Sequence, residues 1–173
     1  MVYDLTRNEG WGSVGISHDT AQLAVASIRC WWYHMGRRRY PQARKLLITA
    51  DAGGSNGYRT RLWKIELQKL ANELQLTIHV SHFPPGTSKW NKIEHRMFSF
   101  ITQNWQGRPL DSLATVVNLI ANTTTDKGLH IETAIDVTVS NKGIEVTGEE
   151  MQALNIKREK FHGDWNYIIR PQK

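Results

Sequence analysis

The order of apolar and polar residues predicts three strands, with two more toward the end of the chain. Residues 11–17 alternate apolar and small side chains, a pattern typical of a strand. Residues 45–51 are a short continuous apolar run, which suggests a strand buried on both faces, and residues 76–83 are predicted to form the next strand. Residues 129–137 and 164–171 are compatible with further strands or extended segments.

Apolar residues at helical spacing predict helices between these strands. The first helix is expected to begin with Asp19 as its N-cap and to stop at Gly36. A second is expected to begin at Ser55 or Asn56 and to run to about Leu74. Shorter helices are predicted further on, over residues 90–105, 112–122 and 147–154. The alternation of strands and helices indicates an α/β layer fold with some parallel strand pairing.

Glu94 lies on the apolar side of the helix that follows "HFPPG". At about 100° per residue, the apolar stripe of this helix contains Trp90, Ile93, Met97, Phe98, Ile101 and Trp105. A carboxylate in such surroundings is costly unless a cation, a metal or backbone donors compensate it. A capping box with Asn91 would supply a backbone donor, and a hard cation such as magnesium would supply charge. Glu94 alone does not decide between the two.

Asp51 is the second carboxylate that stands out, because it closes the predicted strand 45–51. Ligands of open α/β sheets gather at the carboxyl ends of strands. Gly53 and Gly54 follow, which allows a close approach of backbone or substrate. The alternative is that "DAGGSNG" is only a turn that starts with an aspartate.

Length and composition favour a single domain over residues 1–173, in a soluble protein of the cytoplasm. No apolar run approaches the roughly 20 residues that span a membrane, and the first residues lack the apolar segment of a signal peptide. Cys30 is the only cysteine, which excludes a disulfide within the chain and a cysteine-based zinc site.

Positive charge is concentrated in one part of the chain, whose net charge is +6. Residues 20–50 contain no acidic residue. The basic residues within them are Arg29 and a basic block of predicted DNA-binding residues, Arg37, Arg38, Arg39, Arg44 and Lys45. Such a block suggests a polyanionic partner, most often nucleic acid. The alternative is a basic face that only contacts solvent.

Two stretches resemble the second and third acidic motifs of DDE insertion-sequence transposases. They are "LLITADAGGSNG" and "HFPPGTSKWNKIEHRMFSFI", and the second carries the Pro-Pro-x-x-Ser-x-x-Asn-x-Ile-Glu pattern of mariner-like enzymes. Longer stretches, "RNEGWGSVGISHDTA", "FPPGTSKWNKIEHR" and "FHGDWNYII", are closer to the Rhodopirellula-type transposases. The resemblance extends over nearly all 173 residues.

The resemblance implies a ribonuclease H-like core of the retroviral integrase type, a mixed sheet with flanking helices. Three carboxylates in such a core hold two Mg²⁺ or Mn²⁺ ions that activate a nucleophile for attack on DNA. Asp51 would be the second acid and Glu94 the third. The residues that would shape the site are Gly53, Gly54, Ser55, Asn56 and Asn91, and Lys89 and Lys92 would join the basic block in binding DNA.

The chain departs from the family pattern at the first acid. In the family this aspartate lies on a strand upstream of the segment that resembles "VYDLTRNEGWGSVGIS", and Asp4, Glu9 and Asp19 belong to other motifs. We therefore expect the C-terminal part of a catalytic core, without its first strand, with weak metal binding and no DNA strand cleavage or transfer on its own.

Loss of the first strand would also expose the edge of a neighbouring strand. Residues 45–51 would expose an apolar edge, which favours strand pairing with another copy of the chain and hence a homo-oligomer.

Two other functions are open. One is a ribonuclease H-like nuclease or resolvase, which would use the same two acids. A non-catalytic DNA-binding module would use only the basic block.

Overall fold

Seven strands form two mixed sheets in the computed structural model, which describes residues 1–15, 19–137 and 143–172. The first sheet has the order β1-β2-β5 and consists of β1 Val2–Asp4, β2 Glu9–Gly15 and β5 His130–Asp136. Strand β2 runs antiparallel to β1 and parallel to β5.

The second sheet has the order β3-β4-β7-β6. Its strands are β3 Lys45–Ala50, β4 Thr77–His82, β7 Asn166–Ile169 and β6 Ile156–Arg158. Strands β3 and β4 are parallel, so their carboxyl ends meet at one edge of the sheet, with Ala50 beside His82. The other two pairings are antiparallel.

In the described part of the chain, six α-helical segments flank the sheets: α1 Ala21–Trp31, α2 Arg37–Arg39, α3 Arg61–Leu74, α4 Ser99–Trp105, α5 Leu113–Ala121 and α6 Gly148–Gln152. A π-helical turn, Trp32–Gly36, joins α1 to α2, and a second one, Glu94–Phe98, leads into α4. No helix of the described residues is long and apolar enough to cross a membrane.

Each sheet has its own apolar core. Helices α1 and α3 pack on the second sheet, where Val25, Leu67 and Ile78 are fully buried. The π-helical turn before α4, together with α4 and α5, covers the first sheet. Helix α1 also packs against β2, and a smaller cluster that includes Trp11 and Trp31 lies there. This helix therefore contacts elements of both sheets.

Most of the predicted elements are confirmed. Strand β2 covers the described part of the predicted segment 11–17, whose last two residues lie outside the described ranges, and β3, β4, β5 and β7 fall within their predicted segments. Helix α5 has Ser112 as its N-cap, and α6 has the Thr147–Glu150 capping box. The short strands β1 and β6 were not predicted, because three residues are too few to show a periodic pattern.

The predicted ends of α1 were both wrong. The N-cap is Thr20, whose hydroxyl accepts from the Leu23 N–H at 3.2 Å, while the Asp19 carboxylate accepts from Ser55 at 2.8 Å. Gly36 does not stop the helix, because its backbone is right-handed helical and the chain continues to Arg39. A Cβ at Gly36 would lie 2.8 Å from the Trp32 ring, so this glycine permits close packing.

The start of α3 and the burial of β3 also differ from prediction. Helix α3 begins at Arg61, not near Ser55 or Asn56, because residues 51–60 fold into a loop of their own. Strand β3 alternates exposed and less exposed residues, and Leu47 is 67% exposed. The strand is therefore not buried on both faces. Among the described residues its only strand partner is β4, so it is an edge strand, as the sequence analysis expected for residues 45–51.

The α/β class is confirmed, together with the parallel strand pairing. The single mixed sheet that the sequence suggested is instead two mixed sheets in the described part of the chain. Both carry flanking helices.

Candidate active site

Asp51 lies directly after β3, at the edge where the carboxyl ends of β3 and β4 meet. The loop behind it folds back on itself, since the Tyr58 N–H donates to Ala52 O at 3.3 Å. Gly54 has φ +78°, which favours glycine, and a Cβ at Gly57 would lie 2.8 Å from Ala52 O. This turn therefore requires glycine at positions 54 and 57. A Cβ at Gly53, by contrast, would meet no atom within 4 Å.

Asn91 connects this loop to the helix that carries Glu94. The chain leaves β4 at His82, passes through the two prolines and enters the helix immediately after Asn91. The side-chain amide of Asn91 is buried and donates to Asp51 Oδ1 at 3.2 Å. One hydrogen bond therefore joins the end of β3 to the start of this helix, and it brings both acidic motifs to the same edge of the sheet.

Glu94 is half-buried and opens the π-helical turn. Its N–H donates to Asn91 O at 3.2 Å, as in the first turn of a helix. No described residue forms a hydrogen bond or ion pair with its carboxylate, so the Asn91 capping box is not present in the described part of the chain. Single π-helical turns are frequent at functional sites.

The apolar stripe around Glu94 is only partly as predicted. Met97 and Ile101 are buried, but Trp90 is 54% exposed. The prediction assumed one continuous helix from Trp90 onward. Trp90 itself lies in a short 3₁₀ turn before the helix.

A third acid does not join Asp51 and Glu94. The described residues contain no group of three or more His, Cys, Asp or Glu that could hold a metal ion. Asp4 accepts from the Tyr40 hydroxyl at 2.8 Å, and Glu9 pairs with Arg39 at 2.6 Å, so both are occupied elsewhere.

Asp19 is the further acid that contacts the Asp51 loop. Its carboxylate accepts from the hydroxyl of Ser55, four residues beyond Asp51. This contact gives Ser55 a partner outside its own loop. Asn56 is half-buried in the same loop. The predicted site-shaping residues Ser55 and Asn56 thus lie in the loop that begins at Asp51, but Ser55 is turned toward Asp19.

His82 is a residue of this site that sequence reasoning missed. It is the last residue of β4, it is buried, and its Nδ1 lies 3.0 Å from Asp51 O. Burial lowers the pKa of His82 below its usual value, while the Asp51 carbonyl opposes that shift. The ring is therefore neutral at pH 7. The signal available in the sequence was its place near the end of the predicted strand 76–83, whereas its register with Ala50 is known only from the structure.

Arg44 and Lys45 lie at the opposite end of β3 from Asp51, roughly 20 Å away at about 3.3 Å per residue. Arg39 forms an ion pair with Glu9, in which Nη2 donates to Oε1 at 2.6 Å and Nε donates to Oε2 at 3.2 Å. The rest of the basic block is exposed: Arg37 lies over the Tyr33 ring at 5.2 Å, and Arg38 is 3.8 Å from Glu132. The block is therefore not part of the Asp51 edge.

Lys89 and Lys92 lie at the start of the Glu94 helix, and both are exposed. His95 Nε2 is 2.6 Å from the carbonyl of Lys89, which fixes the backbone there without engaging the ammonium group. These are the predicted cationic residues that are nearest in sequence to Glu94.

The fold and the site together define an α/β protein whose acidic motifs meet at the carboxyl edge of two parallel strands. Residues 1–171 match the family described as the Rhodopirellula transposase DDE domain. The chain belongs to this family, which confirms the resemblance seen in the sequence. No curated protein and no solved structure matches the chain. Its function is accordingly of the transposase type.

Proposed function

We propose that this chain contributes Asp51 and Glu94, as acidic metal ligands, to a ribonuclease H-like catalytic core for metal-dependent DNA strand cleavage and transfer. The observation that supports this most directly is the Asn91–Asp51 hydrogen bond of 3.2 Å. It links the strand that ends at Asp51 to the helix on which Glu94 stands three residues further on.

The donor set suits a hard cation. Asp51 and Glu94 offer carboxylate oxygens, which Mg²⁺ and Mn²⁺ prefer. Glu94 is half-buried without a partner among the described residues, and a cation would compensate its charge. A bound ion would act as a Lewis acid on a phosphodiester and lower the pKa of an attacking water.

The chain's own residues do the remaining work in this proposal. Asn91 orients the Asp51 carboxylate through its amide, and the glycines after Asp51 leave room for a DNA backbone. Exposed Lys89 and Lys92 would contact phosphates beside Glu94. Two acids are fewer than the three of the family, so we propose that the described residues bind metal weakly and support no cleavage by themselves.

Metal-dependent DNA binding tests this function against a DNA-binding module without catalysis. We expect the affinity for duplex DNA to rise when Mg²⁺ replaces EDTA at constant ionic strength, because an ion held by Asp51 and Glu94 adds a phosphate contact. The Asp51→Ala variant should lose this increase. Equal affinity with and without Mg²⁺, unchanged in Asp51→Ala, would favour the non-catalytic module.

The exposed arginines of the basic block should contribute a sequence-independent part of DNA binding. We expect Arg37→Ala/Arg38→Ala to weaken binding to all duplex sequences and to reduce the slope of log affinity against log salt by about 1–2 units. Arg39 is left in place because its removal would leave the buried Glu9 carboxylate without its ion-pair partner. Filter binding or fluorescence anisotropy across a salt series measures the slope.

A matched control removes the same charge elsewhere. The variant Arg158→Ala/Arg170→Ala lowers the net charge equally, at β6 and just after β7. If both double variants reduced the slope by the same amount, only net charge would matter, and Arg37 and Arg38 would form a face that contacts solvent alone.

A further inference from the structure

Three buried side chains form a continuous chain of hydrogen bonds that ends on the main chain of Asp51. Trp63 Nε1 donates to the Tyr167 hydroxyl oxygen at 3.0 Å. The Tyr167 hydroxyl is 2.9 Å from His82 Nε2, and His82 Nδ1 is 3.0 Å from Asp51 O. Trp63 and Tyr167 are each 1% exposed and His82 is 4% exposed, so water does not compete for these bonds.

We call this chain of hydrogen bonds, from Trp63 through Tyr167 and His82 to Asp51 O, the relay. The direction of each of its bonds follows from the Asp51 carbonyl oxygen at its end. A carbonyl oxygen only accepts, so His82 Nδ1 must carry the proton. In the neutral ring Nε2 is then an acceptor, and the Tyr167 hydroxyl donates to it. The Tyr167 oxygen in turn accepts from the indole of Trp63, which can only donate. All of these buried polar groups are satisfied in one arrangement.

We propose that His82, Tyr167 and Trp63 are positioning residues that fix the backbone of Asp51, an inference that rests on the proposed role of Asp51 as a metal ligand. Asn91 holds the carboxylate of Asp51, whereas the relay holds its carbonyl. The aspartate is thereby fixed at two points, one on its side chain and one on its main chain.

The position of Asp51 in the sheet explains why such a support is required. Strand β3 has a strand partner on one side only among the described residues, and Asp51 lies beyond its last paired residue, Ala50. The Phe83 N–H donates to Ala50 O at 2.9 Å and holds the peptide before Asp51, so the sheet leaves unsupported only the peptide after Asp51, which carries Asp51 O. A metal ligand must be held within about 0.5 Å of its productive position by packing and supporting hydrogen bonds.

The relay also connects Asp51 to both sides of the core. Trp63 belongs to α3, Tyr167 to β7 and His82 to β4, so the position of the carbonyl depends on three separate elements. Removing the Tyr167 hydroxyl would leave the Trp63 indole without its acceptor and His82 Nε2 without its donor. The change would reach Asp51 without touching it.

The Tyr167→Phe variant, with Tyr58→Phe as its matched control, tests the proposal. Tyr58 lies next to the same histidine, with ring centres 6.2 Å apart, but no described residue bonds to its hydroxyl. Both substitutions remove one phenolic oxygen. Three quantities are measured: the ¹⁵N shifts of the His82 ring, the chemical shift of the Ala52 amide, and the affinity for Mn²⁺. The Ala52 amide reports on Asp51 O because the two belong to the same peptide group.

In the unmodified protein the ¹⁵N shifts should show His82 protonated at Nδ1, a result that needs no variant to fold. In Tyr167→Phe we expect the ring to populate both tautomers, the Ala52 amide signal to move, and Mn²⁺ affinity to fall about tenfold, the lower end of the effect of supporting groups around metal ligands. Tyr58→Phe should leave all three unchanged.

The possible failures are distinguishable. A His82 ring protonated at Nε2 in the unmodified protein overturns the relay itself. An unmoved Ala52 signal or an unchanged Mn²⁺ affinity in a folded Tyr167→Phe overturns the positioning role. If the unmodified protein binds no Mn²⁺, the proposed function fails instead, and the tautomer and the Ala52 signal still decide whether the relay fixes Asp51.

Discussion

Mn²⁺ binding should be lost when either Asp51 or Glu94 is converted to its amide. Asp51→Asn and Glu94→Gln keep the shape of the side chain but remove the negative charge that a hard cation needs. We expect each to reduce affinity by about 100-fold or more, equivalent to about 2.8 kcal/mol. Isothermal titration calorimetry or the paramagnetic broadening of nearby NMR signals measures the change.

The matched controls for this experiment are acids of the same type at exposed positions. Asp126→Asn and Glu145→Gln remove the same charge from exposed positions. They should leave Mn²⁺ affinity unchanged within a factor of about two, since neither acid belongs to the Asp51 loop or the Glu94 helix and salt screens exposed charges. Equal losses in the controls would mean that Mn²⁺ responds to net charge alone, and an unchanged affinity in Glu94→Gln would remove Glu94 from the site.

No cleavage of DNA is expected from residues 1–173 in Mg²⁺ or Mn²⁺. Phosphodiester cleavage depends on charge placed where the transition state develops it, and two acids hold an ion less firmly than three. No third acid, histidine or cysteine joins Asp51 and Glu94 in the described residues. Supercoiled plasmid and duplexes that carry candidate element ends should remain intact, at the same background as the Glu94→Gln variant.

Cleavage that disappears in Glu94→Gln would contradict this prediction and would raise the question of which group completes the site. Asp19 is the first residue to test, because it already contacts Ser55 in the loop after Asp51. Asp4 and Glu9 are held by Tyr40 and Arg39. If Asp19 completes the site, Asp19→Asn should abolish cleavage and leave the fold intact. Cleavage that persists in Asp19→Asn would exclude Asp19 as the third acid.

The candidate site shows why sequence motifs located its acids but not its support. Asp51 and Glu94 stand in long local patterns, so adjacent residues were enough to single them out. His82 and Tyr167 meet across 85 positions of sequence, and Trp63 and Tyr167 across 104. No local pattern encodes contacts at such separations, because they exist only once β4, β7 and α3 have packed together.

The basic block shows a similar division. Its charge was evident from the sequence, but no local pattern indicated that Arg39 would be bound to the buried Glu9, 30 positions away. Nor did it indicate that Arg44 and Lys45 would lie at the far end of β3 from Asp51. The sign of the charge is a property of composition, whereas its location relative to the site depends on strand direction and pairing.

The sequence by itself determined the family, the α/β class, most of the elements and the two candidate acids, since each depends on local periodicity, capping or contiguous motifs. Only the tertiary structure decided that one face of β3 is exposed, that two sheets form, and that π-helical turns replace regular helix at Trp32–Gly36 and Glu94–Phe98. These features depend on which surfaces pack together, and an apolar run such as "KLLITA" has the same letters whether one of its faces or both are covered.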